Sequence, residues 1–196
     1  MKEDKNTIHQ FWFGRLDDTG FAAPAHSQLW FRASEETDAA LRSRFDNLVT
    51  QALAGELNHW AEDDKGLIAL VLLLDQFTRN IYRGTPESFA GDDMAQQLVQ
   101  QILASGRHTA LPPIHQVFLF MPLEHCESVA AQQQCIRLFG ELAAGSDAVR
   151  IEEFARYAVA HRDVIARFGR FPHRNTILGR ESTAEELAYL EKHGGF

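Results

Sequence analysis

An unbroken apolar run, Leu67-Ile68-Ala69-Leu70-Val71-Leu72-Leu73-Leu74, lies between the charged segment Asp63-Asp64-Lys65 and Asp75. Leucine outnumbers the β-branched residues in it, which favours a helix over a strand. Because the run has no polar face, we expect this helix to be buried at the centre of the protein. It is far shorter than the ~20 residues that cross a bilayer, so no membrane span is predicted.

Apolar residues at helical spacing continue on both sides of this run. On the N-terminal side, after a predicted N-cap at Ser34, the series is Leu41, Phe45, Leu48 and Ala52. On the C-terminal side, between Asp147 and Gly169, the series is Phe154, Ala158, His161, Ile165 and Phe168. Both patterns predict amphipathic helices that bury one face.

Start and stop signals divide the rest of the chain into further helices. The predicted starts are Asp63 or Asp64, Thr85-Pro86, Pro112-Pro113, Ser128 and a capping box formed by Ser182-Thr183 with Glu185-Glu186. The segment Gly20 to Trp30, which contains Pro24, is predicted to be an irregular link. This pattern predicts an all-α protein of antiparallel helix pairs, in which strands have almost no support.

Length and composition predict one domain over residues 1–196, since a chain of 196 residues with 45% hydrophobic content can bury a full core. Its two cysteines, Cys126 and Cys135, are not needed for folding at this size. The charged N-terminus lacks the apolar stretch of a signal peptide. A cytoplasmic location is therefore expected.

The charge of the chain is unevenly distributed. The net charge of −8 argues against a protein that wraps nucleic acid with a broadly basic surface. Between Arg156 and Arg180, however, six arginines stand against one acid, Asp163, so this stretch carries +5 and the remainder −13. Such a density of arginine predicts a local anion site.

The first segment with candidate chemistry runs from Asp75 to Gly84, directly after the apolar run. Asp75, Arg79 and Arg83 are four residues apart and share one face of a continuing helix, with Asn80 beside them. A surface ladder of ions is one interpretation. The other is that Asp75 is buried and paired with Arg79, because a buried carboxylate needs a partner.

The second segment, Met121 to Glu127, lies between two helices and contains Glu124 and His125. Neighbouring residues cannot face each other directly, but on a turn both can point into one cleft. A solvated turn is the alternative, because loops carry filler as well as binding groups.

The third segment contains His161-Arg162-Asp163, then Arg170-Phe171-Pro172-His173-Arg174-Asn175, and then Arg180. His161 lies on the buried seam of its helix and is either a core histidine or a chemical group. Pro172 forces Phe171 into an extended conformation, so the loop presents its donors from a stiff backbone. Arginine forks presented in this way suit a carboxylate or a phosphate.

Known signatures are missing from the sequence, including phosphate-binding loops, the nucleophile elbow and the zinc-protease helix. Mixed metal ligands are available from Glu124, His125, His161, Asp163 and His173. Their spacing matches no compact ligand motif, and nearby arginines count against a cation. No metal and no cofactor is predicted.

These segments resemble the bacterial family known as domain of unknown function 924. The resemblance covers nearly the whole chain and rests on four motifs: Phe11 to Gly14, Leu72 to Gly84, Met121 to His125, and His161 to Arg180. It implies an all-helical fold similar to tetratricopeptide arrays and no established activity. One departure is Thr78, where the family more often has proline, so the local geometry of the helix is expected to differ here.

The leading functional prediction is an enzyme with a polar pocket for a small anionic metabolite, built by all three segments. Arg79, Arg170 and Arg174 would hold its phosphate or carboxylate, and further ligand-binding residues would be Asp75, Asn80, Arg83, His173, Asn175 and Arg180. A general acid or base would be His125 or His161, oriented by Glu124 or Asp163.

Two other functions remain open. A helical array can offer a groove in which arginines grip an acidic peptide or a C-terminal carboxylate. The arginines can also be purely structural and pair with Asp75, Glu124 and Asp163 at helix ends. Neither nucleic acid nor a membrane is predicted as a partner, and the sequence leaves the oligomeric state open.

Overall fold

The structure is a computed structural model that describes residues 3–31 and 34–195. These residues form helices joined by turns, without a strand among them, which confirms the all-α prediction. No described helix is both long and apolar enough to cross a membrane. The chain divides into two compact units, one within Met1–Arg83 and Glu87–Pro122 and the other within Gly84–Pro86 and Leu123–Phe196.

The first unit contains the apolar run and the helices that pack around it. In chain order they are α1 (Lys5–Trp12), α2 (His26–Phe31), α3 (Glu35–Leu53), α4 (Asp64–Val71), α5 (Thr78–Ile81), α6 (Asp92–Ser105) and most of α7 (Pro113–Glu124). The predicted N-caps are confirmed at Ser34, which accepts from the Thr37 N–H, and at Asp63, which accepts from the Gly66 N–H.

The prediction of an irregular link from Gly20 to Trp30 is wrong, because α2 begins within it at His26. Pro24 precedes this short helix and therefore removes none of its hydrogen bonds.

The apolar run forms the buried centre of the first unit, as predicted. None of its residues, Leu67 to Leu74, is more than 1% exposed. Between α4 and α5 the backbone widens into a π-helix over Leu72–Phe77, a rare form that is frequent at functional sites. The interruption falls directly before Thr78, whose hydroxyl donates to the Leu74 carbonyl oxygen at 2.9 Å.

Helix α6 approaches the π-helix closely. Its N-cap is Gly91, and a Cβ at this position would overlap the Leu74 carbonyl group. Only a residue without a side chain fits between the two backbones. This contact brings Asp92, the first residue of α6, near Asp75 and Arg79.

The second unit begins at the end of α7 and is built around a helical hairpin. Helices α8 (Val129–Gly145) and α9 (Ala148–Phe168) are joined by two residues and pack against each other. The predicted caps at Ser128 and Asp147 are confirmed, and Gly169, with a φ of 71°, ends α9.

The chain then forms a short 3-10 turn over Pro172–Arg174, against which α10 (Ala184–His193) packs. Thr183 and Glu186 form the predicted capping box of α10. The apolar contacts of this region join Val164, Ile165 and Phe171 with Phe168 and Tyr189. The single domain over 1–196 and its tetratricopeptide-like stacking stay predictions.

Candidate functional site

A carboxylate and an imidazole meet inside the second unit. Glu124 is the last residue of α7, and its Oε1 lies 3.1 Å from Nδ1 of His161 in α9. Both side chains are only 7% exposed. The same Nδ1 lies 2.8 Å from the Tyr157 carbonyl oxygen, one helical turn earlier. Because a carboxylate and a carbonyl only accept hydrogen bonds, Nδ1 carries the ring proton and Nε2 keeps the lone pair.

The surroundings keep the His161 imidazole neutral. Burial lowers its pKa to about 3, and the electrostatic interactions with His125, Arg174 and His173 act in the same direction. The hydrogen bond to the Tyr157 carbonyl opposes these effects without outweighing them. A neutral imidazole with a fixed tautomer can accept a proton or a hydrogen bond at Nε2.

Aromatic and cationic groups pack around this pair. The His125 ring lies 6.1 Å from the His161 ring, and the Phe171 ring meets His161 edge to face at 5.6 Å. The Arg174 guanidinium lies 4.5 Å above the Phe171 ring, and the His173 ring is 5.6 Å from it. Residues of the second and third sequence segments, His125 and Phe171, therefore lie beside His161, whereas the convergence of all three segments on one pocket stays a prediction.

Glu124 ends α7 instead of lying in the predicted turn, and the backbone from Glu124 to Cys126 is held by side chains from elsewhere in the unit. Gln132 of α8 donates from Nε2 to the Glu124 carbonyl oxygen and, at 2.9 Å, to that of Cys126. Arg174 donates from Nη2 to the His125 carbonyl oxygen at 3.0 Å.

Glu127, the next residue of this turn, anchors it to the loop after α9. Its carboxylate forms a two-pronged ion pair with Arg180 and accepts the Phe171 N–H at 2.8 Å. Burial raises the pKa of Glu127, but the Arg180 guanidinium and the Phe171 N–H outweigh it, so that the pKa lies below its ordinary value. Arg180 also donates to Asn175 Oδ1 at 3.0 Å.

Arg170 and Asn175 belong to a network around Glu186, which is 2% exposed. Arg170 donates to both carboxylate oxygens, at 2.6 and 2.8 Å, and Asn175 donates to one of them at 3.3 Å. The Arg170 hydrogen bond is the largest cause that lowers the pKa of Glu186 to about 2, and the Thr183 N–H adds to it. This network holds α10 against the loop.

The first segment makes its ion pairs inside the first unit. Asp75 is fully buried, and Arg79 reaches its Oδ1 at 3.0 Å, which confirms the predicted pair. Arg79 also forms a two-pronged pair with Asp92 at 2.8 and 3.0 Å. Burial lowers the pKa of Arg79, but the two carboxylates raise it above its ordinary value.

The remaining predicted residues of this segment lie at the end of α5. Asn80 donates to the Gln76 carbonyl oxygen at 2.8 Å, and Arg83 pairs with Asp38 near the surface. Gln76 also contacts the second segment, because its Nε2 lies 3.5 Å from Met121 Sδ within the first unit.

Asp163 takes no part in the Glu124–His161 pair. Its side chain is 65% exposed and forms an ion pair with the neighbouring Arg162. Of the two acids proposed to orient a histidine, Glu124 is the one that meets His161. The cause is helical geometry, since Asp163 lies two residues after His161 and therefore points to a different side of α9.

Sequence reasoning missed four participants: Asp92, Glu127, Gln132 and Glu186. Glu127 lies in the second predicted segment and Glu186 in the predicted capping box, but the ion pairs that they form were not predicted. Asp92 and Gln132 carry no local signal, because their partners are many residues away in the chain.

The candidate metal ligands of this unit are not gathered into a cluster among the described residues. Within residues 3–31 and 34–195, no group of three or more histidine, cysteine or acidic residues is arranged to hold a metal ion. Both cysteines are free thiols. Burial raises the pKa of Cys135 well above its ordinary value, so this thiol stays protonated.

The fold and the site together define an all-helical protein with a buried carboxylate–imidazole pair. The chain belongs to the family described as bacterial protein of unknown function (DUF924), which it matches over residues 8–194. It is similar to a solved structure of a protein of unknown function from Agrobacterium tumefaciens, with a TM-score of 0.81 and 36% sequence identity. That similarity covers 96% of this chain and 97% of the other. A comparison with curated proteins found no match.

Proposed function

We propose that this protein is an enzyme in which His161 accepts a proton from a small metabolite that carries a carboxylate or phosphate group. The observation that carries the proposal is the position of His161 Nδ1, 3.1 Å from Glu124 Oε1 and 2.8 Å from the Tyr157 carbonyl oxygen. A histidine whose Nδ1–H is held by a carboxylate has its Nε2 lone pair directed away from that carboxylate, ready to act as a general base.

Glu124 has two roles in this proposal. It fixes the tautomer and the orientation of the His161 ring, and its negative charge stabilises the imidazolium that forms when Nε2 takes a proton.

The charges around His161 favour an anionic substrate. The Arg174 guanidinium is positively charged and lowers the pKa of His161, as do the electrostatic interactions with His125 and His173. A substrate anion beside them would be attracted, and the guanidinium of Arg174 suits a carboxylate or a phosphate. The bound anion would also offset the positive charge and raise the pKa of His161 toward the range in which a general base is effective.

The alternative function, recognition of an acidic peptide or a C-terminal carboxylate, has less support. A peptide-binding groove of this kind needs arginines that can receive the carboxylates of the peptide. Arg79, Arg170 and Arg180 instead hold carboxylates of this chain at 3.0 Å or less. A peptide would have to break these pairs before it could bind.

The proposal is tested in two stages. Phosphorylated and carboxylated metabolites are first screened for an increase in melting temperature, because a ligand that binds the native state stabilises it. Compounds that bind are then assayed for turnover by the wild type, by His161→Asn and by His59→Asn. Asparagine places an amide N–H near the position of Nδ1 but has no equivalent of Nε2, and His59 is an exposed control in the first unit.

We expect His161→Asn to stay folded, to keep the ligand-induced increase in melting temperature and to lose turnover by at least about 100-fold. His59→Asn should retain wild-type turnover. An asparagine variant that turns over substrate as fast as the wild type would show that His161 is not the base.

A further inference from the structure

Three consecutive backbone carbonyls at the end of α7 receive side-chain donors. Gln132 Nε2 donates to the carbonyl oxygens of Glu124 and Cys126, and Arg174 Nη2 donates to that of His125. Gln132 is fully buried, eight residues after Glu124 in the chain. The residue between the two carbonyls that it holds is His125.

This part of α7 needs donors from outside the helix. The last carbonyls of a helix have no partner within it. Pro122 lies inside α7 near its end and cannot donate a backbone N–H, so the final turn has one hydrogen bond fewer than a regular helix. The Glu124 carbonyl lies in this last turn, and Gln132 supplies a donor to it from α8.

Gln132 carries an energetic cost at this buried position. Its Oε1 is buried and has no hydrogen-bond partner among the residues that the structure describes. An unsatisfied buried acceptor is destabilising, and an apolar side chain of the same length would avoid it. The two hydrogen bonds that its N–H groups donate offset this cost.

We propose that Gln132 is a positioning residue for the Glu124–His161 pair. By holding the Glu124 carbonyl, it keeps the carboxylate of the same residue within hydrogen-bond distance of His161 Nδ1. The mechanistic importance of Gln132 rests on the proposed function of His161, but its effect on the contact between Glu124 and His161 can be measured without a substrate.

The proton on His161 Nδ1 provides the measurement. In protein labelled with ¹⁵N, NMR reports the chemical shift of this proton and its rate of exchange with water. A hydrogen bond to a carboxylate moves the signal downfield, and protection by the surrounding structure slows the exchange. A side chain that merely fills space would leave both unchanged.

Three variants are compared with the wild type. Gln132→Met keeps the length and removes the amide, and Gln132→Asn keeps the amide on a shorter chain that cannot reach both carbonyls. Gln133→Met changes the exposed neighbour on the same helix and is the matched control. We expect the first two variants to move the Nδ1–H signal upfield and to speed its exchange by at least about tenfold, while the control matches the wild type.

An unchanged signal and unchanged exchange in a folded Gln132 variant would overturn this inference. If Gln132→Met does not fold, the Nδ1 proton is measured in Gln132→Asn instead, because asparagine is chemically closer to the native glutamine. The outcome is separate from that of the proposed function. Full turnover by His161→Asn would refute the catalytic role of His161, whereas an undisturbed Nδ1–H in the Gln132 variants would refute the positioning role of Gln132.

Discussion

Glu127 and Arg180 face each other in a two-pronged ion pair, with Oε2 at 2.7 Å from Nη1 and Oε1 at 3.0 Å from Nη2. The Glu127 carboxylate also accepts the Phe171 N–H, and Arg180 also donates to the Phe171 carbonyl oxygen at 3.2 Å. Both residues therefore hold the backbone of Phe171, whose ring contacts His161 and Arg174. A partly buried ion pair thus holds the Phe171 backbone, and with it the ring that packs against His161.

Replacement of Glu127 by glutamine should destabilise the protein by about 1–2 kcal/mol, because Arg180 then loses its charged partner in a partly buried place. The matched control is Glu185→Gln, which breaks an ion pair with Arg167 in which both side chains are more than half exposed. We expect the control to change the stability by less than about 0.5 kcal/mol. Urea unfolding of the three proteins checks this, and equal losses in the two variants would contradict it.

The stability of the protein should fall in acid partly through Glu186. Its pKa is about 2 in the folded protein, where Arg170 holds the ionised form, against about 4.5 as its ordinary value. A lowered pKa contributes stability that is present above the ordinary pKa and is lost as the pH falls toward the folded value. The contribution of Glu186 should therefore decline from about pH 5 to about pH 2.

The unfolding free energies of the wild type and Glu186→Gln, measured over this pH range, test the prediction. We expect a clear deficit of the variant at neutral pH that shrinks as the pH falls, because the wild-type carboxyl becomes protonated. A deficit that stays constant with pH would show that the charge of Glu186 is not what stabilises α10.

His161 should remain neutral well into the acid range. Its pKa of about 3 predicts constant ring chemical shifts in NMR spectra from about pH 8 to about pH 5. Because the folded pKa lies below the ordinary value of 6.5, the histidine contributes stability that is present above about pH 6.5 and is lost as the pH falls toward 3. A midpoint near 6.5 in the folded protein would contradict both statements.

Gly91→Ala should destabilise the first unit by about 2–3 kcal/mol, because the added Cβ meets the Leu74 backbone, which cannot move aside as a side chain can. Gly140→Ala is the control. This helical glycine of α8 has open space around it, and alanine there should stabilise the protein by about 0.5–1 kcal/mol. Thermal and urea unfolding of both variants give the comparison, and two changes of the same sign would refute the close contact.

Local patterns account for the parts of the fold that sequence reasoning predicts. A leucine-rich helix without a polar face is stable in water only when it is buried. The run from Leu67 to Leu74 is buried in the structure, as this argument predicts. Caps such as Ser34, Ser128 and Asp147 act on N–H groups two or three residues away, so they can be recognised without knowledge of the tertiary structure. The helix at His26 escapes this reasoning because no strong cap or long period marks it.

For the candidate site, the sequence predicts which residues take part but not how they pair. Glu124 and His161 stand out as residue types, but their pairing joins residues far apart in the chain, which no local signal reports. The same holds for the arginines. Their density between Arg156 and Arg180 predicts an anion site, whereas Arg170 and Arg180 each hold a carboxylate of their own chain, Glu186 and Glu127. Spacing along the chain cannot distinguish a ligand's carboxylate from an internal one.

The π-helix at Leu72–Phe77 restricts how this stretch can change in evolution. In an α-helix each residue turns the chain by about 100°, so the loss of one residue rotates everything on one side of the loss relative to the other. A deletion here would restore regular α-helical hydrogen bonds but would carry Asp75 and Arg79 to new directions relative to the apolar run before them. Relatives that share the Asp75–Arg79–Asp92 cluster should therefore align with this stretch without a gap, and a one-residue gap would mark a protein in which that cluster has been lost.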